Sequence, residues 1–568
     1  MKKSFKYTGI LFLLIINSCS DITDLNSEAN INAENFYRNY TEIQTGLTGC
    51  YKGMQKPLLQ EWSLTELRSD NTIGDTGSSN SVVNQDLSYL DQFYPSTSHL
   101  GNYTYWLDTY NNIRNTNVIL NAVGANYNPA STAIEYEPIA TSIASPDQCK
   151  SIAAEASFIR AYHYFNLVRL YGGVFLVDEV LTPTQAKNTN RSTVADIYKL
   201  IEADLKNAVT YGSTAPYGTT AGDQIGRSNS WAAKALLAKV YLTLNRKADA
   251  IVKLNEIING NSGYGLESSY DRIFSTSNEM NKEILFAIRF KGGGLGMGNT
   301  LANLFAPSNS GNAVIGGDGK GYNLPTSELT SATFKDAYGN SALTWDPSAP
   351  RRSVNWQFYD KVNSKKPYVS KFTSKSTLEY DSENDFPVIR YSDVLLMLAE
   401  AQGNSVASMG LINLVHVRAG VTPLTPLGTT PLSTTVTTAV FEKALSNQRR
   451  WEFAFENQRW FDLLRFTTTT QTITTLASAK INIGTKLQPI YEYTPIFTGK
   501  TEGAEYKMKN HMNGQYFAIY LGFEGTLPLS PTKLFNYANP SRFLLPIPQY
   551  EIDTNSNIVI EQNVYTDE

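Results

Sequence analysis

Apolar residues recur at three- and four-residue spacing in one unusually hydrophobic stretch, E-A-S-F-I-R-A-Y-H-Y-F-N-L-V-R-L-Y-G-G at residues 155–173. This spacing places them on one face of a helix, and the intervening tyrosines widen that face. Glu155, Arg160 and Arg169 lie within the stretch. Because a buried charge needs a partner, we expect neighbouring helices to supply partners for all three. Two glycines predict the end of the helix, which should be a central packing element.

Similar periodicity predicts further helices, which fall into pairs. Three of them span about residues 34–55, 105–123 and 193–209. Residues 230–258 carry the spacing of a tetratricopeptide helix pair, in which small Ala238 and Ala250 allow close contact. A looser version recurs at residues 394–419, and the 155–173 stretch pairs with the helix that follows it. Several such pairs predict a mainly α-helical, right-handed scaffold of tetratricopeptide-like repeats.

Three long regions lack this periodicity and are predicted to be irregular, residues 60–100, 262–382 and 466–545. The first is rich in Ser, Asn, Asp and Gly, which favour loops. Within the second, residues 283–290 predict a short strand, and residues 292–298 predict a glycine-rich loop or hairpin. That glycine run lacks the spacing of a phosphate-binding loop. Residues 421–440 and 466–530 are rich in Thr, Gly and Pro, and these insertions are too long for simple connectors, which indicates a binding role.

The N-terminus has the pattern of a targeting segment. Three lysines precede the apolar run of residues 9–16, which is too short to span a membrane and ends in I-N-S-C at Cys19. This resembles a bacterial lipoprotein signal, with residues 1–18 removed, Cys19 acylated and residues 19–33 forming a lipidated tether. An ordinary secretory signal with an incidental cysteine is the alternative. Residues 34–568 are predicted to form a single domain.

Charge and cysteine content restrict the possible functions. The net charge is −4, and it becomes −7 without the first 18 residues, which contain three lysines and no acidic residue. No basic block occurs, so nucleic acid is not expected to be a partner. Only Cys50 and Cys149 follow Cys19, so the fold does not depend on a disulfide framework. Buried thiols are the favoured interpretation, and a single bridge between them is the alternative.

Four ordered segments resemble the SusD/RagB family of Bacteroidetes outer-membrane lipoproteins. They are the stretch at residues 155–173, P-V-I-R-Y-S-D-V-L-L-M-L-A-E-A-Q-G at 387–403 with V-R-A-G at 417–420, Q-R-R-W-E-F-A-F-E-N-Q-R-W-F-D-L-L-R at 448–465, and L-P-I-P-Q-Y-E-I-D-T-N with a later E-Q-N at 545–563. Gln448 stands where the family commonly has an acidic residue, and Asn457 stands where glycine is usual.

The resemblance implies a lipid-anchored protein at the outer membrane, facing the cell exterior, with four tetratricopeptide-like repeats. Such proteins act as hinged lids on a SusC-like TonB-dependent transporter barrel. They capture oligosaccharides, or peptides in some members, and perform no chemistry. The family places ligand contacts in the segment after the first helix and in the irregular middle region, which here points to Asp70, Asn71, Phe93, Tyr94, Trp345 and Trp356. Packing under a loop is the alternative for each of them.

Two other functions are compatible with parts of the sequence. A surface glycoside hydrolase would need two carboxylates about 5–9.5 Å apart in an open cleft. The motif carboxylates instead lie in apolar helices beside arginines, which predicts buried ion pairs for Glu155, Asp393, Glu400, Glu452, Glu456 and Asp462. A structural repeat scaffold that binds only protein is the other alternative. The four histidines are never at metal-ligand spacing, so neither a metal nor a cofactor is predicted.

Overall fold

The computed structural model describes residues 37–74, 82–91, 95–219, 225–330, 334–335, 341–342, 350–361, 364–421, 438–465, 544–555, 560 and 562–563. Several predictions therefore concern positions outside the described residues. These positions are the signal peptide and tether with Cys19, the possible ligand contacts Phe93, Tyr94 and Trp345, and most of the region 466–545.

Helices make up most of the described chain. They are α1 (Tyr40–Gly53), α2 (Gln55–Thr65), α3 (Val82–Asp91), α4 (Leu100–Ala122), α5 (Pro146–Tyr171), α6 (Pro183–Lys187), α7 (Val194–Tyr211), α8 (Ser230–Thr243), α9 (Lys247–Asn259), α10 (Leu301–Phe305), α11 (Ser327–Thr330), α12 (Pro350–Asn355), α13 (Tyr391–Gln402), α14 (Val406–Arg418), α15 (Thr438–Glu452), α16 (Arg459–Arg465) and α17 (Gln549–Thr554).

The strands are short, and each pairs with one antiparallel neighbour. They are β1 (Thr72–Ile73), β2 (Ala125–Asn128), β3 (Ala133–Tyr136), β4 (Ile284–Ile288), β5 (Leu324–Pro325), β6 (Phe334–Lys335), β7 (Ser341–Ala342), β8 (Trp356–Lys361), β9 (Ser364–Val369) and β10 (Phe386–Arg390). The pairs are β1 with β5, β2 with β3, β4 with β10, β6 with β7, and β8 with β9.

The long helices pack as four consecutive pairs. Helix α1 packs on α4, α5 on α7, α8 on α9, and α13 on α14. Each pair also contacts the next, through α4 and α5, α7 and α8, and α9 and α13. This arrangement confirms the predicted repeat scaffold of about four helix pairs.

Helix α5 lies at the centre of this scaffold, as the apolar stretch predicts. It begins earlier than expected, at Pro146, because Ser145 forms a reciprocal capping box with Gln148. Every residue from Ile152 to Tyr171 is buried. The helix ends at Gly172, which adopts a positive φ of 80° that glycine takes without a steric penalty.

Two of the three charges of α5 have the expected partners outside the helix. Arg160 forms two hydrogen bonds of 2.8 and 2.9 Å with the carboxylate of Asp204 on α7. Glu155 accepts a 2.6 Å hydrogen bond from the Tyr51 hydroxyl on α1 and lies 3.5 Å from Arg227. These contacts tie α5 to its own pair partner α7 and to α1 of the preceding helix pair.

Arg169 differs from this expectation, because it forms no ion pair with a carboxylate in the part of the chain that the structure describes. Its guanidinium lies 3.8 Å from the ring centre of Phe165 and 3.6 Å from that of Phe461 on α16. It also donates to the Phe165 carbonyl and to Asn166. Aromatic faces therefore supply much of the stabilisation that was expected from a carboxylate.

The prediction that residues 60–100 form loops is wrong over much of its length. Helix α2 reaches Thr65 and α3 occupies Val82–Asp91. Leu58, Trp62 and Leu64 of α2 are buried, so tertiary packing stabilises a helix that its polar composition does not reveal. Helix α4 begins at Leu100 because the ring of His99 accepts the amide of Asn102.

The middle region joins the two halves of the chain through one buried sheet. Strand β4 confirms the strand predicted within residues 283–290, and it pairs with β10, which precedes α13. Every residue of both strands is buried. The glycine run that follows β4 forms a loop closed by an antiparallel bridge between Lys291 and Met297, as predicted.

The cysteines agree with a further expectation. Cys50 and Cys149 are both buried free thiols, which confirms the favoured interpretation. Among the described residues, no helix combines the length and the apolar character needed to cross a membrane.

Candidate functional site

Two segments that were predicted separately to contact a ligand are brought together by the β1–β5 pair. Thr72 lies opposite Pro325, and Ile73 opposite Leu324. The backbone amide of Thr326 donates to the Asn71 carbonyl at 2.9 Å. We call residues 70–73 and 322–326 the β1–β5 platform. It joins the end of the segment after α2 to the irregular middle region.

Asp70 and Asn71 lie in the interior of this platform and are only 2% and 0% exposed. Arg459 donates to both carboxylate oxygens of Asp70, at 2.7 and 2.8 Å. Arg450 donates to the side-chain carbonyl of Asn71 at 3.1 Å. Both side chains thus hold the platform in place. Their contact with a ligand stays a prediction, and it would require them to leave these bonds.

The segment 448–465 therefore holds the β1–β5 platform in position. Its Arg450 and Arg459 bind residues 70–71, and the backbone amide of Asn457 donates to Glu66 at 2.8 Å. Asn457 has a φ of +59°, in the left-handed region. The usual glycine at this position in the family fits that conformation, and asparagine is among the few other residues that adopt it readily.

Aromatic rings cover one side of the platform. Tyr322 is half-buried and stacks on Trp62 of α2, with ring centres 6.3 Å apart and planes inclined by 17°. Phe305 contacts the other part of Trp62 edge-on at 5.2 Å. Trp62 is therefore a buried support, and Tyr322 presents the ring that remains partly open to solvent.

A lysine and a second tyrosine lie beside Tyr322. Lys320 is exposed, and its ammonium is 5.9 Å from the ring centre of Tyr380, which is half-buried. The nearby Tyr380 side chain raises the pKa of Lys320, which favours its charged form. Asn303 accepts the backbone amide of Tyr380 at 2.8 Å and so fixes the second tyrosine. The two rings and the ammonium could bind an apolar face and hydroxyl groups together.

Trp356 was predicted as an exposed platform for a ligand, but it is only 1% exposed. It begins β8 and packs edge-on against Phe358 at 5.1 Å. Phe358 is 38% exposed, so part of its side chain is open to solvent, unlike that of Trp356. The β8–β9 hairpin lies alongside β5, because β9 contacts that strand. The ligand contact of Trp356 stays a prediction that its burial does not favour.

The sequence reasoning missed the aromatic residues that the middle region exposes. It considered tryptophans in loops and did not evaluate Tyr322, Phe358 or Tyr380 among the 34 tyrosines and 25 phenylalanines. The signal that could have found one of them, Tyr322, is the motif K-G-Y-N-L at residues 320–324, where a tyrosine lies beside turn residues. Which rings are exposed depends on tertiary contacts that such a motif does not contain.

Each of the six motif carboxylates is paired with an arginine, as predicted. The pairs are Glu155 with Arg227, Asp393 with Arg449, Glu400 with Arg465, Glu452 with Arg390, Glu456 with Arg390, and Asp462 with Arg449. All of these side chains are buried. None of the six therefore lies in an open cleft as a hydrolytic acid or base would.

Arg390 is the centre of the largest of these ion-pair clusters. It donates to Glu283 at 2.8 Å, to Glu452 at 2.9 Å and to both oxygens of Glu456 at 2.8 Å. Burial raises the pKa of Glu452, but Arg418, Arg390 and Arg351 outweigh this effect and hold it at about 2. The cluster joins β10, α14 and α15 through charge–charge contacts.

The histidines have structural positions. The His163 ring is buried on α5 within hydrogen-bond distance of Asn112, at 2.8 Å, and burial lowers its pKa to about 3. His416 contacts Gln448 at 2.8 Å. No group of His, Cys, Asp or Glu among the described residues has the arrangement of a metal site.

Comparison with known families agrees with this architecture. The model of the SusD family matches residues 253–565, which is more than half of the chain. The chain belongs to the SusD family. A second family model, described as starch-binding and associating with the outer membrane, matches residues 22–242 of this SusD-family protein.

Relatives and solved structures cover most of the chain. SusD-like protein P25 of Formosa agariphila is 25% identical over 84% of this chain and 93% of its own length. SusD-like protein P2 of the same species is 24% identical over 82% and 90%. A laminarin-binding SusD-like protein matches with a TM-score of 0.63 and 22% identity, over 93% of this chain and 99% of that chain. Surface glycan-binding protein A from Bacteroides uniformis matches with a TM-score of 0.64 and 18% identity, over 93% and 100%. These structures share the fold.

Proposed function

We propose that this SusD-family protein is a cell-surface nutrient-binding lipoprotein that captures oligosaccharides. The observation that carries the proposal is the partly open aromatic surface of Tyr322, Tyr380 and Lys320 in the irregular region of a SusD-family fold. The laminarin-binding and glycan-binding proteins that share this fold support a sugar as the ligand. A peptide is the second ligand class, since tyrosine rings also suit peptide side chains.

The arrangement suits binding rather than catalysis. A sugar ring would lie against Tyr322, which Trp62 supports from behind, and Lys320 would donate hydrogen bonds to its hydroxyl groups. We propose no reaction, because each of the six motif carboxylates forms an ion pair with an arginine. Capture and delivery of an unmodified nutrient need only this surface.

Replacing Tyr322 by alanine is expected to weaken binding of the recognised oligosaccharide about tenfold. Truncating a central aromatic contact removes more than about 1 kcal/mol of binding free energy. A glycan array of the mature protein identifies the ligand, and calorimetry then compares Tyr322→Ala and Tyr380→Ala with the wild type. Tyr211→Ala is the matched control, because Tyr211 is 38% exposed on α7 of the repeat scaffold.

The binding measurements distinguish a wrongly placed binding site from a wrongly proposed function. Binding that is unchanged in both tyrosine variants would place the site elsewhere, and Trp345→Ala and Trp356→Ala would then be measured. Absence of binding to every oligosaccharide and peptide of a broad panel would reject nutrient capture. A scaffold that binds only protein would then be the better explanation.

We further propose that acylated Cys19 anchors the protein to the outer membrane, facing the cell exterior. There it would act as a hinged lid on a SusC-like TonB-dependent transporter. The family model described as associating with the outer membrane supports this location. The Cys19→Ala variant is expected to move from the membrane fraction to the soluble fraction, whereas Cys50→Ala should remain bound. Failure of the wild type to co-purify with a barrel protein after mild detergent extraction would argue against the transporter.

A further inference from the structure

A small polar cavity lies at the junction of the repeat scaffold and the segment 448–465. Its walls come from α2, α5, α8, β10, α16 and the loop that precedes α16. The polar groups in it include Glu61 of α2, Arg169 of α5, Lys239 of α8 and Asn457 of the loop. The cavity is separate from the aromatic surface of the proposed binding site, and it lies where α2 is held against the core.

Among the described residues, the buried side-chain amide of Asn457 makes no hydrogen bond of normal length, although it lies near enough to Glu61 to lower the pKa of that carboxyl group. The residue is only 3% exposed. A buried amide left without hydrogen bonds costs about 1–3 kcal/mol, so native proteins normally supply a partner or an ordered water.

Glu61 and Arg169 face the same cavity without a direct contact. Glu61 accepts only long hydrogen bonds, of 3.3 Å from the Tyr162 hydroxyl and 3.2 Å from the Asn166 amide. Arg169 is near enough to lower the pKa of Glu61, yet the two charges form no ion pair within 4 Å among the described residues. When two opposite charges face each other across such a gap, water commonly bridges them.

The size of the cavity fits this interpretation. It offers about 30 Å³ for the centres of water molecules. One water requires roughly 10–15 Å³ of such space and two to four polar partners. The cavity therefore has room for about two waters, and its polar walls distinguish it from an apolar void that would stay dry.

We propose that this cavity is an internal hydration site, in which about two water molecules bridge Glu61, Arg169 and Asn457 in place of a direct ion pair. The waters complete the hydrogen bonding of the Asn457 amide. They also link α2 to α5 just before the chain enters the β1–β5 platform. This inference goes beyond the proposed function and does not depend on the identity of the ligand.

Glu61 should ionise near neutral pH in the folded protein. Burial raises the pKa of Glu61 to about 7, and Arg169 opposes this rise. The other titratable groups facing the site are Tyr105 of α4, Tyr162 of α5, Lys239 of α8 and Glu456 of the loop.

A crystal structure of the mature protein tests the hydration directly. We expect ordered water within hydrogen-bond distance of the Asn457 amide and of Arg169. The Asn457→Gly variant keeps a residue that tolerates the left-handed backbone, and it should fold but lose the water bound to the amide. An empty cavity in the wild type, in density that shows other buried waters, would overturn the proposal. So would a direct Glu61–Arg169 contact that closes the cavity.

Infrared spectroscopy supplies an independent measurement in solution. Isotope-edited difference spectra of the wild type and Glu61→Gln report the protonated and ionised forms of Glu61. We expect conversion to the carboxylate centred within about one pH unit of 7. Persistence of the protonated form above pH 9 would contradict a hydrated site. Glu256→Gln on α9, whose partly exposed carboxylate pairs with Lys253, is the control.

Discussion

Replacing Arg390 by methionine is expected to lower the free energy of unfolding by about 3–5 kcal/mol. The reason is that Arg390 is 1% exposed and donates to the carboxylates of Glu283, Glu452 and Glu456. Methionine has a similar apolar stem but leaves these three buried acids without their common partner. An unpaired buried charge is much more costly than a lost surface ion pair.

Urea denaturation of Arg390→Met and the wild type at neutral pH measures this effect. Arg246→Met is the matched control, because Arg246 is 40% exposed and pairs with Glu202 and Asp249 on the surface. Its loss should cost less than about 1 kcal/mol. A change below about 1 kcal/mol for Arg390→Met would show that Arg418 and Arg351 can compensate for its absence.

The stabilising contribution of Glu452 is expected to disappear as the pH is lowered. Its pKa is about 2 in the folded protein, against an ordinary value of 4.5 for a glutamate side chain. A depressed folded-state pKa contributes stability that is fully present above the unfolded-state value and is lost as the pH falls through the folded-state value. The contribution, on the order of 3 kcal/mol, should therefore be present at pH 6 and largely lost by pH 2.

Chemical denaturation of Glu452→Gln and the wild type between pH 6 and pH 2 tests this expectation. The variant should be clearly less stable at pH 6, and the difference should shrink as the wild-type carboxylate becomes protonated. Glu256→Gln should show a small difference throughout, because Glu256 is partly exposed and its ion pairs are screened by solvent. A stability difference for Glu452→Gln that does not vary with pH would contradict the assigned electrostatic role.

The scaffold could be predicted from the chain alone because its signals are local and periodic. The spacing in residues 155–173 predicted α5, and the small residues of 230–258 predicted the α8–α9 pair. The pairing of motif carboxylates with arginines was also predictable. A charge inside an apolar helix requires a partner wherever the chain folds.

Two features of the fold differ from the predictions because they depend on tertiary contacts, which the periodicity of the sequence does not contain. Helix α2 was assigned to a loop region because its composition is polar, yet Trp62 and its neighbours are buried by segments distant in sequence. Arg169 was expected to have a carboxylate partner, but the rings of Phe165 and Phe461 flank it. Both outcomes depend on which residues distant in sequence pack against these positions. Local spacing does not specify those residues.

The sequence by itself determined the helical repeat architecture and the need for buried ion pairs, since both follow from residue types at fixed spacing, and it indicated the family through the resemblance of four ordered motifs. Only the tertiary structure decided which residues are available to a ligand. Asp70, Asn71 and Trp356 are interior, whereas Tyr322, Tyr380 and Phe358 keep part of their surface open. The physical reason is that exposure is a property of the packed molecule. Arg450 and Arg459, nearly 400 residues away in sequence, turn the predicted contacts Asp70 and Asn71 into anchors of the platform.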